Sequence, residues 1–275
     1  MDLNQLGKIA DAFPNTPTMP ALFLGHGSPM NAIEENSFVV GFRQIAKTIP
    51  KPKAIICVSA HWETQGTYVT AMANPKTIHD FGGFPQSLFD VQYPAPGDPI
   101  LANEVKQIVS STTVQLDEQW GLDHGAWSVI KHMYPHADVP IIQMSLDFRQ
   151  PATYHYDLAK DIASLRNKGV LIIGSGNMVH NLRLVDWRHL NTLDFAYDWA
   201  IEASDTMKQL IANDHHNALI HYRSLGKAIE LAIPTPEHFL PLLYTLGVKS
   251  DQDTIHFFND QAIGGSLTMT SFVVG

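Results

Sequence analysis

Four histidines stand at breaks between apolar and polar segments, where a side chain can reach a ligand. They are His26, His61, His180 and His238. His26 and His61 each follow an apolar run that is typical of a buried strand, and His180 follows a third such run. Ligands bind beyond the carboxyl ends of parallel strands in open α/β sheets, so these positions predict a metal site.

His26 and His61 are the strongest candidate pair of ligands, because they end strands of one predicted strand–helix–strand unit. His238 is the predicted third ligand, delivered from the first turn of a helix that Thr235 caps and that runs to residue 246. Glu237 competes for this role, but neighbouring helical residues point about 100° apart and do not easily share one ion. Three imidazoles suit Zn²⁺, whereas two histidines and a carboxylate suit Fe(II) that activates O₂.

Cys57 is not a predicted ligand, although it lies four residues before His61. At ~3.3 Å per strand residue the two side chains are ~13 Å apart, too far to share an ion. Its apolar surroundings in the sequence predict a buried thiol.

His180 and His124 are candidate acid–base groups, because an imidazole titrates near neutral pH. His180 follows the glycine-containing stretch 174–177, and a fourth ligand is the alternative role for it. His124 follows Asp123, a candidate helix cap, and an alternative role for it is to support the cap or a metal ligand.

The segment 74–99 is long, irregular and rich in aromatic residues. Loops of this length inside a compact domain usually line a binding site, which favours a lid over a surface excursion. We expect Phe81 and Tyr93 to contact the substrate.

Apolar runs at residues 54–60, 140–146 and 170–173 predict strands that are buried on both faces. Helical patterns separate them, and residues 254–259 and 266–274 predict an antiparallel pair at an edge. The sequence therefore predicts an α/β fold: one three-layer αβα domain over residues 1–275, with a mostly parallel central sheet and antiparallel edge strands.

Composition excludes several classes of partner. The formal net charge is −9 and no Lys/Arg cluster occurs, which argues against nucleic acid and against an anionic membrane surface. No apolar run approaches the ~20 residues of a membrane span. The single cysteine fits a reducing compartment, and charges interrupt the first residues where a signal peptide would be apolar. These features predict a cytoplasmic protein.

Five segments together resemble the class III extradiol ring-cleavage dioxygenases, most closely the DOPA extradiol branch. These segments span residues 25–29, 59–62, 122–127, 174–181 and 235–238. The resemblance implies a single α/β domain, one divalent metal ion (iron for turnover, zinc often bound) and cleavage of a catechol ring by O₂ beside its hydroxyls.

The resemblance also implies roles for single residues. His26, His61 and His238 would be the metal ligands, His180 the acid–base group, and His124 a histidine of the substrate pocket. Relatives that cleave protocatechuate use a glutamate as the third ligand, whereas this chain offers His238 at that position.

Two other functions fit the same residues. A zinc-dependent hydrolase would use His180 as the base toward a metal-bound water. A metal-binding protein without catalysis would need neither His180 nor His124. The predicted partners of the dioxygenase are a small aromatic catechol and O₂, and the sequence predicts no oligomeric state.

Overall fold

The computed structural model describes residues 18–190 and 192–275; the first 17 residues of the predicted domain lie outside the described residues. The strands are β1 (Ala21–Gly25), β2 (Ala54–Thr64), β3 (Thr67–Thr70), β4 (Val114–Asp117), β5 (Ile141–Asp147), β6 (Val170–Gly176), β7 (Ile255–Phe258), β8 (Ala262–Ile263), β9 (Leu267–Thr268) and β10 (Ser271–Val274). The α-helices are α1 (Ser37–Thr48), α2 (Gln86–Phe89), α3 (Pro99–Ile108), α4 (His124–Met133), α5 (Ala152–Ile162), α6 (Asp198–Ala212), α7 (His216–Ile220), α8 (Lys227–Ala232) and α9 (Leu240–Gly247). Short 3-10 turns span Pro29–Ala32, Ala163–Lys168, Leu182–Leu184, Trp187–His189 and Tyr222–Ser224.

The described strands form one large mixed sheet in the order β4-β3-β5-β2-β6-β1-β10-β7, and β8 pairs with β9 in a separate hairpin. The central strands β5, β2, β6 and β1 run parallel, whereas β10 pairs antiparallel with β1 on one side and with β7 on the other. At the other side, β3 runs antiparallel to β5. This arrangement confirms the predicted α/β fold with a mostly parallel sheet and antiparallel edge strands.

Two apolar cores cover the two faces of the sheet. Side chains alternate between faces along a strand, so Ile55 and Cys57 of β2 pack with α1 and α4, while Ile56 and Val58 pack with α5 and α9. Cys57 is fully buried, as predicted, and burial raises the pKa of its thiol well above the usual value. Within the described ranges, no helix is both long and apolar enough to cross a membrane.

Strand β2 is longer and less regular than predicted. Val58 pairs with Met144 and Glu63 pairs with Leu146. An advance of five residues along β2 therefore corresponds to an advance of two residues along β5. His61 therefore lies in a bulge within the strand rather than after its end, and a bulge redirects a side chain away from the regular pleat.

The predicted helix start at Thr235 is wrong, because the helix α9 begins at Leu240. The carbonyl of Pro236 accepts from the amides of both Phe239 and Leu240, which closes a turn instead. The His238 carbonyl accepts from the Asn177 amide at 2.9 Å, so it is engaged by the chain just beyond β6. His238 accordingly lies in a turn before the helix.

The buried Arg166 guanidinium ties the amino-terminal side of the sheet together. It donates to the Asp253 carboxylate at 2.6 and 3.1 Å and to the carbonyls of Met19 and Val248. Burial opposes ionisation of Asp253, but hydrogen bonds from Arg166 and Ser250 outweigh it and lower the pKa of Asp253 to about 2.

We expect Asp253→Asn to lower the free energy of unfolding by about 3 kcal/mol at pH 7, because it leaves the buried Arg166 charge uncompensated. The pKa of Asp253 in the folded state is below its ordinary value of 3.8, so the stabilisation is present above pH 3.8 and is lost as the pH falls through about 2. Urea denaturation over this pH range measures it. Asp157→Asn, which removes a half-exposed partner of Lys160, is the control and should cost under about 1 kcal/mol. Equal losses for the two variants would contradict the prediction.

Candidate active site

Five histidine rings meet in one cavity of about 250 Å³ beside the carboxyl ends of β1, β2 and β6. The centroid of the His26 ring lies 4.9 Å from that of His61 and 5.3 Å from that of His238, and the last two are 5.1 Å apart. The His124 ring lies 3.8 Å from His61, and the His180 ring stacks on His238 at 3.5 Å. The structure thus brings together all five histidines that the sequence analysis selected.

The chain around His26 is fixed by backbone contacts. The His26 amide donates to the Gly176 carbonyl at the end of β6, and the His26 carbonyl accepts from the Asn31 side chain. Gly27 follows with φ +60, and a Cβ there would lie 2.4 Å from the Met269 sulfur. The site therefore needs glycine at position 27 for both conformation and space.

The end of β6 holds the turn that carries His238. A Cβ on Gly176 would lie 2.1 Å from the His238 carbonyl oxygen, so only glycine permits this close approach. Together with the bond from the Asn177 amide to the same carbonyl, this contact places His238 beside the ends of β1 and β6.

A chain of hydrogen bonds fixes the tautomer of His26. The Ser175 hydroxyl donates to the Gly125 carbonyl at 2.5 Å, so its oxygen accepts from Nδ1 of His26, 3.0 Å away. With the proton on Nδ1, the Nε2 atom of His26 carries a lone pair. Ring nitrogens held in this way by a second partner are typical of metal ligands.

Two carboxylates act in the same way on three other rings. Asp80 Oδ2 accepts from Nδ1 of His124 at 2.8 Å and lies 3.5 Å from Nδ1 of His61. Glu237 Oε1 accepts from Nδ1 of His238 at 3.2 Å. In the His124 and His238 rings the Nδ1 proton faces the carboxylate, which leaves the Nε2 lone pair available to a cation.

The donor set fits a metal ion. Nε2 of His26 and Nε2 of His61 lie 3.1 Å apart, close enough for both atoms to bind one ion. Burial first, and then the neighbouring imidazoles, lower the pKa of His26 well below 6.5 and that of His61 to about 3. Neutral rings are the form that binds metals, so protonation does not compete at neutral pH.

Candidate ligand atoms fall into two sets that share no residue. One set joins His26, His61 and His124, and the other joins His180, Glu237 and His238; within each, the ligand atoms lie within 4.8 Å of one another. The predicted ligands take two members of the first set and one of the second. Burial is the main cause that lowers the pKa of His180 to about 4, so this ring is neutral as well.

The rest of the cavity wall is mostly apolar. It is formed by Phe81, Phe84, Leu182, Trp187, Leu190, Ile263 and Leu267. Phe81 meets the His124 ring edge-on, with centroids 5.5 Å apart. An apolar slot beside a cluster of neutral imidazoles suits a flat aromatic ligand with a few polar atoms.

Tyr93 does not line this cavity, unlike Phe81. Its side chain is buried, and its hydroxyl donates to the Tyr134 carbonyl at 2.8 Å. The residue anchors the long segment 74–99 to the end of α4, and we leave it out of the substrate pocket.

Asp80 is the functional residue that sequence reasoning missed. It lies in segment 74–99, next to Phe81, far along the chain from both histidines that it contacts. Burial raises the pKa of its carboxyl, but hydrogen bonds from His124 outweigh this effect and lower it overall. The signal in the sequence that could have indicated this role is a carboxylate within the aromatic-rich segment 74–99.

The chain matches a known enzyme family over most of its length. The family model of the catalytic LigB subunit of aromatic ring-opening dioxygenase matches residues 18–268. The chain is 44% identical over 271 residues to the 4,5-DOPA dioxygenase extradiol of Escherichia coli (strain K12), covering 97% of this chain and 98% of that one. It is 34% identical over 257 residues to the protein of the same name from Beta vulgaris, covering 91% and 94%.

A solved structure agrees. The crystal structure of an uncharacterized protein from Escherichia coli K12 superposes with a TM-score of 0.81 at 40% identity, covering 94% of this chain and all of that one. These matches confirm the resemblance found in the sequence and give no support to a zinc hydrolase. The chain belongs to the family of the catalytic LigB subunit of aromatic ring-opening dioxygenases.

Proposed function

We propose that this dioxygenase opens a catechol ring, in a substrate similar to DOPA, beside its hydroxyls with O₂. The observation that carries the proposal is the set of buried imidazoles whose Nε2 lone pairs are freed by Ser175, Asp80 and Glu237 beside an apolar slot. The extradiol names of the relatives at 44% and 34% identity support the same chemistry.

We assign His26, His61 and His238 as ligands of one divalent ion. Fe²⁺ bound there supplies the electron transfer that O₂ requires, whereas Zn²⁺, which suits the same donors, has no redox change to offer. Glu237 then serves to orient His238 rather than to bind the ion.

His180 takes a proton from the substrate in this proposal. It lines the cavity, and burial holds its pKa at about 4, so it is neutral and ready to accept. The Nδ1–H group of His124 donates a hydrogen bond to Asp80. Its Nε2 atom is therefore left to accept a hydrogen bond from a substrate hydroxyl. Phe81 supports the flat face of the ring, and the apolar wall keeps water out.

We further propose that residues 1–275 act as one catalytic domain in the cytoplasm. The continuous sheet and its two cores support a single domain. A lone, fully buried cysteine fits a reducing compartment.

Reconstitution with Fe(II) under anaerobic conditions tests the function. We expect no reaction until air is admitted, and then O₂ uptake with a yellow ring-opened product from DOPA. The zinc-loaded protein should consume no O₂. An iron-loaded protein that takes up no O₂ with DOPA or with simple catechols would contradict the proposal.

Asp80→Asn should lower kcat/KM by about 10- to 100-fold, because it removes the carboxylate that fixes His124 and faces His61. Steady-state rates with metal content measured in parallel check this. Asp90→Asn is the matched control, since Asp90 is exposed in the same segment and its carboxylate accepts from the Gln86 side chain. Equal rates for the two variants would show that Asp80 does not position the histidines.

A further inference from the structure

A second and larger cavity, of about 570 Å³, lies outside the histidine site and shares no lining residue with it. It is formed where the start of α5 meets the 3-10 turn Tyr222–Ser224 and the turn before α9. The described residues that line it include Arg149, Arg223 and His221, but no aspartate or glutamate.

The two guanidinium groups in this cavity lack carboxylate partners within the described part of the chain. Arg223 contacts the Tyr222 hydroxyl at 3.3 Å, and Arg149 lies 5.9 Å from the Phe148 ring centroid. In contrast, Arg43, Arg166 and Arg188 each form an ion pair. Two unpaired cations in one cavity stand out in a chain of net charge −9.

The helix α5 adds to the positive potential of the same cavity. Its 11 residues begin at Ala152, and its N-cap, Pro151, provides no side-chain hydrogen bond to the first turn. The Tyr154 amide donates to the Pro151 carbonyl, which leaves the amides of Ala152 and Thr153 to face an anion along the helix dipole. The helix start adds to the positive potential that Arg149 and Arg223 already give the cavity.

Much of the remaining wall is apolar, with Pro151, Ile220 and Leu240 among its residues. A small inorganic anion would leave this surface uncovered, and a polyanion would meet the repulsion of the whole molecule. The chemistry that matches both parts is a carboxylate on an apolar body.

We propose that this cavity is a binding site for a small carboxylate with an apolar body, and that Arg149 and Arg223 hold its charged end. Pro236 lines the cavity, and its carbonyl closes the turn that carries His238. A bound carboxylate thus contacts the segment that joins the two cavities.

Titration calorimetry of the full-length protein with phthalate tests the proposal. We expect saturable binding at a 1:1 ratio, and Arg149→Ala and Arg223→Ala should each weaken it by about tenfold or more. Arg43→Ala removes the same charge from an exposed pair elsewhere and should leave binding unchanged. Arg149 and Arg223 are exposed and Arg43 is partly exposed, and thermal unfolding of each variant verifies that the fold is kept.

Several outcomes would overturn the proposal. The first four are the absence of saturable binding, binding that survives in a variant carrying both Arg149→Ala and Arg223→Ala, equal loss in Arg43→Ala, and loss of binding after metal is removed with a chelator. Loss of binding after metal removal would show that phthalate binds the metal ion in the histidine site instead. Inorganic phosphate and benzyl alcohol are the further probes, and either one binding as well as phthalate would contradict the need for both charge and apolar body.

Discussion

Replacing His180 by alanine is expected to leave the metal content nearly unchanged and to lower turnover by about 10²–10⁴-fold, the usual contribution of a positioned proton-transfer group. The His180 ring stacks on the proposed ligand His238 and lines the cavity, so it is close enough to accept a proton from a bound hydroxyl. Metal analysis of the purified variant, beside its steady-state rate after loading with Fe(II), measures both quantities.

The alternative role of His180 predicts a different pattern. As a fourth ligand, its loss would lower metal affinity, and excess Fe(II) would restore most of the activity. His256→Ala is the matched control, because His256 is exposed on the edge strand β7 and its ring contacts the Thr254 hydroxyl at 3.2 Å, away from the cavity. It should change neither metal content nor rate.

Replacing His61 by alanine is expected to lower metal affinity by roughly 10²–10³-fold. This is about a third of the ~10 kcal/mol that a structural zinc site contributes, since one of three protein ligands is lost. His61 is less buried than His26 or His238, so its truncation disturbs the packing least. Competition for zinc with a chelator of known affinity measures the loss, and urea denaturation verifies that the variant is folded.

Glu237→Gln separates the two candidates for the third ligand. Glutamine can still accept a hydrogen bond from Nδ1 of His238, so the variant should retain metal if His238 is the ligand. His238→Ala should lose metal as His61→Ala does. The reverse pattern, with metal lost in Glu237→Gln and kept in His238→Ala, would assign the ligand to Glu237.

The strands were predictable because parallel strands buried on both faces are apolar throughout. The runs at residues 54–60, 140–146 and 170–173 have no polar face to confuse with a helix, and all three are strands of the central sheet. Since the carboxyl ends of such strands lie together, the pattern brings His26 and the last part of β2, which carries His61, to the same edge of the sheet.

Details that depend on partners distant in the chain were not predictable. Thr235 and Pro236 have the local signature of a helix start, but the Asn177 amide takes the His238 carbonyl and a turn forms instead. The bulge that redirects His61 is set by its register against β5. Asp80 reaches His124 only through the path of segment 74–99.

The placement of the metal ion tests the central claim most directly. Crystals of the metal-loaded protein, measured at the absorption edge of the bound metal, should give one anomalous peak per chain. We predict that zinc at this peak lies ~2.0–2.1 Å from Nε2 of His26, His61 and His238, with His124 not coordinated. A peak held instead by His26, His61 and His124, or one outside this cavity, would contradict the account.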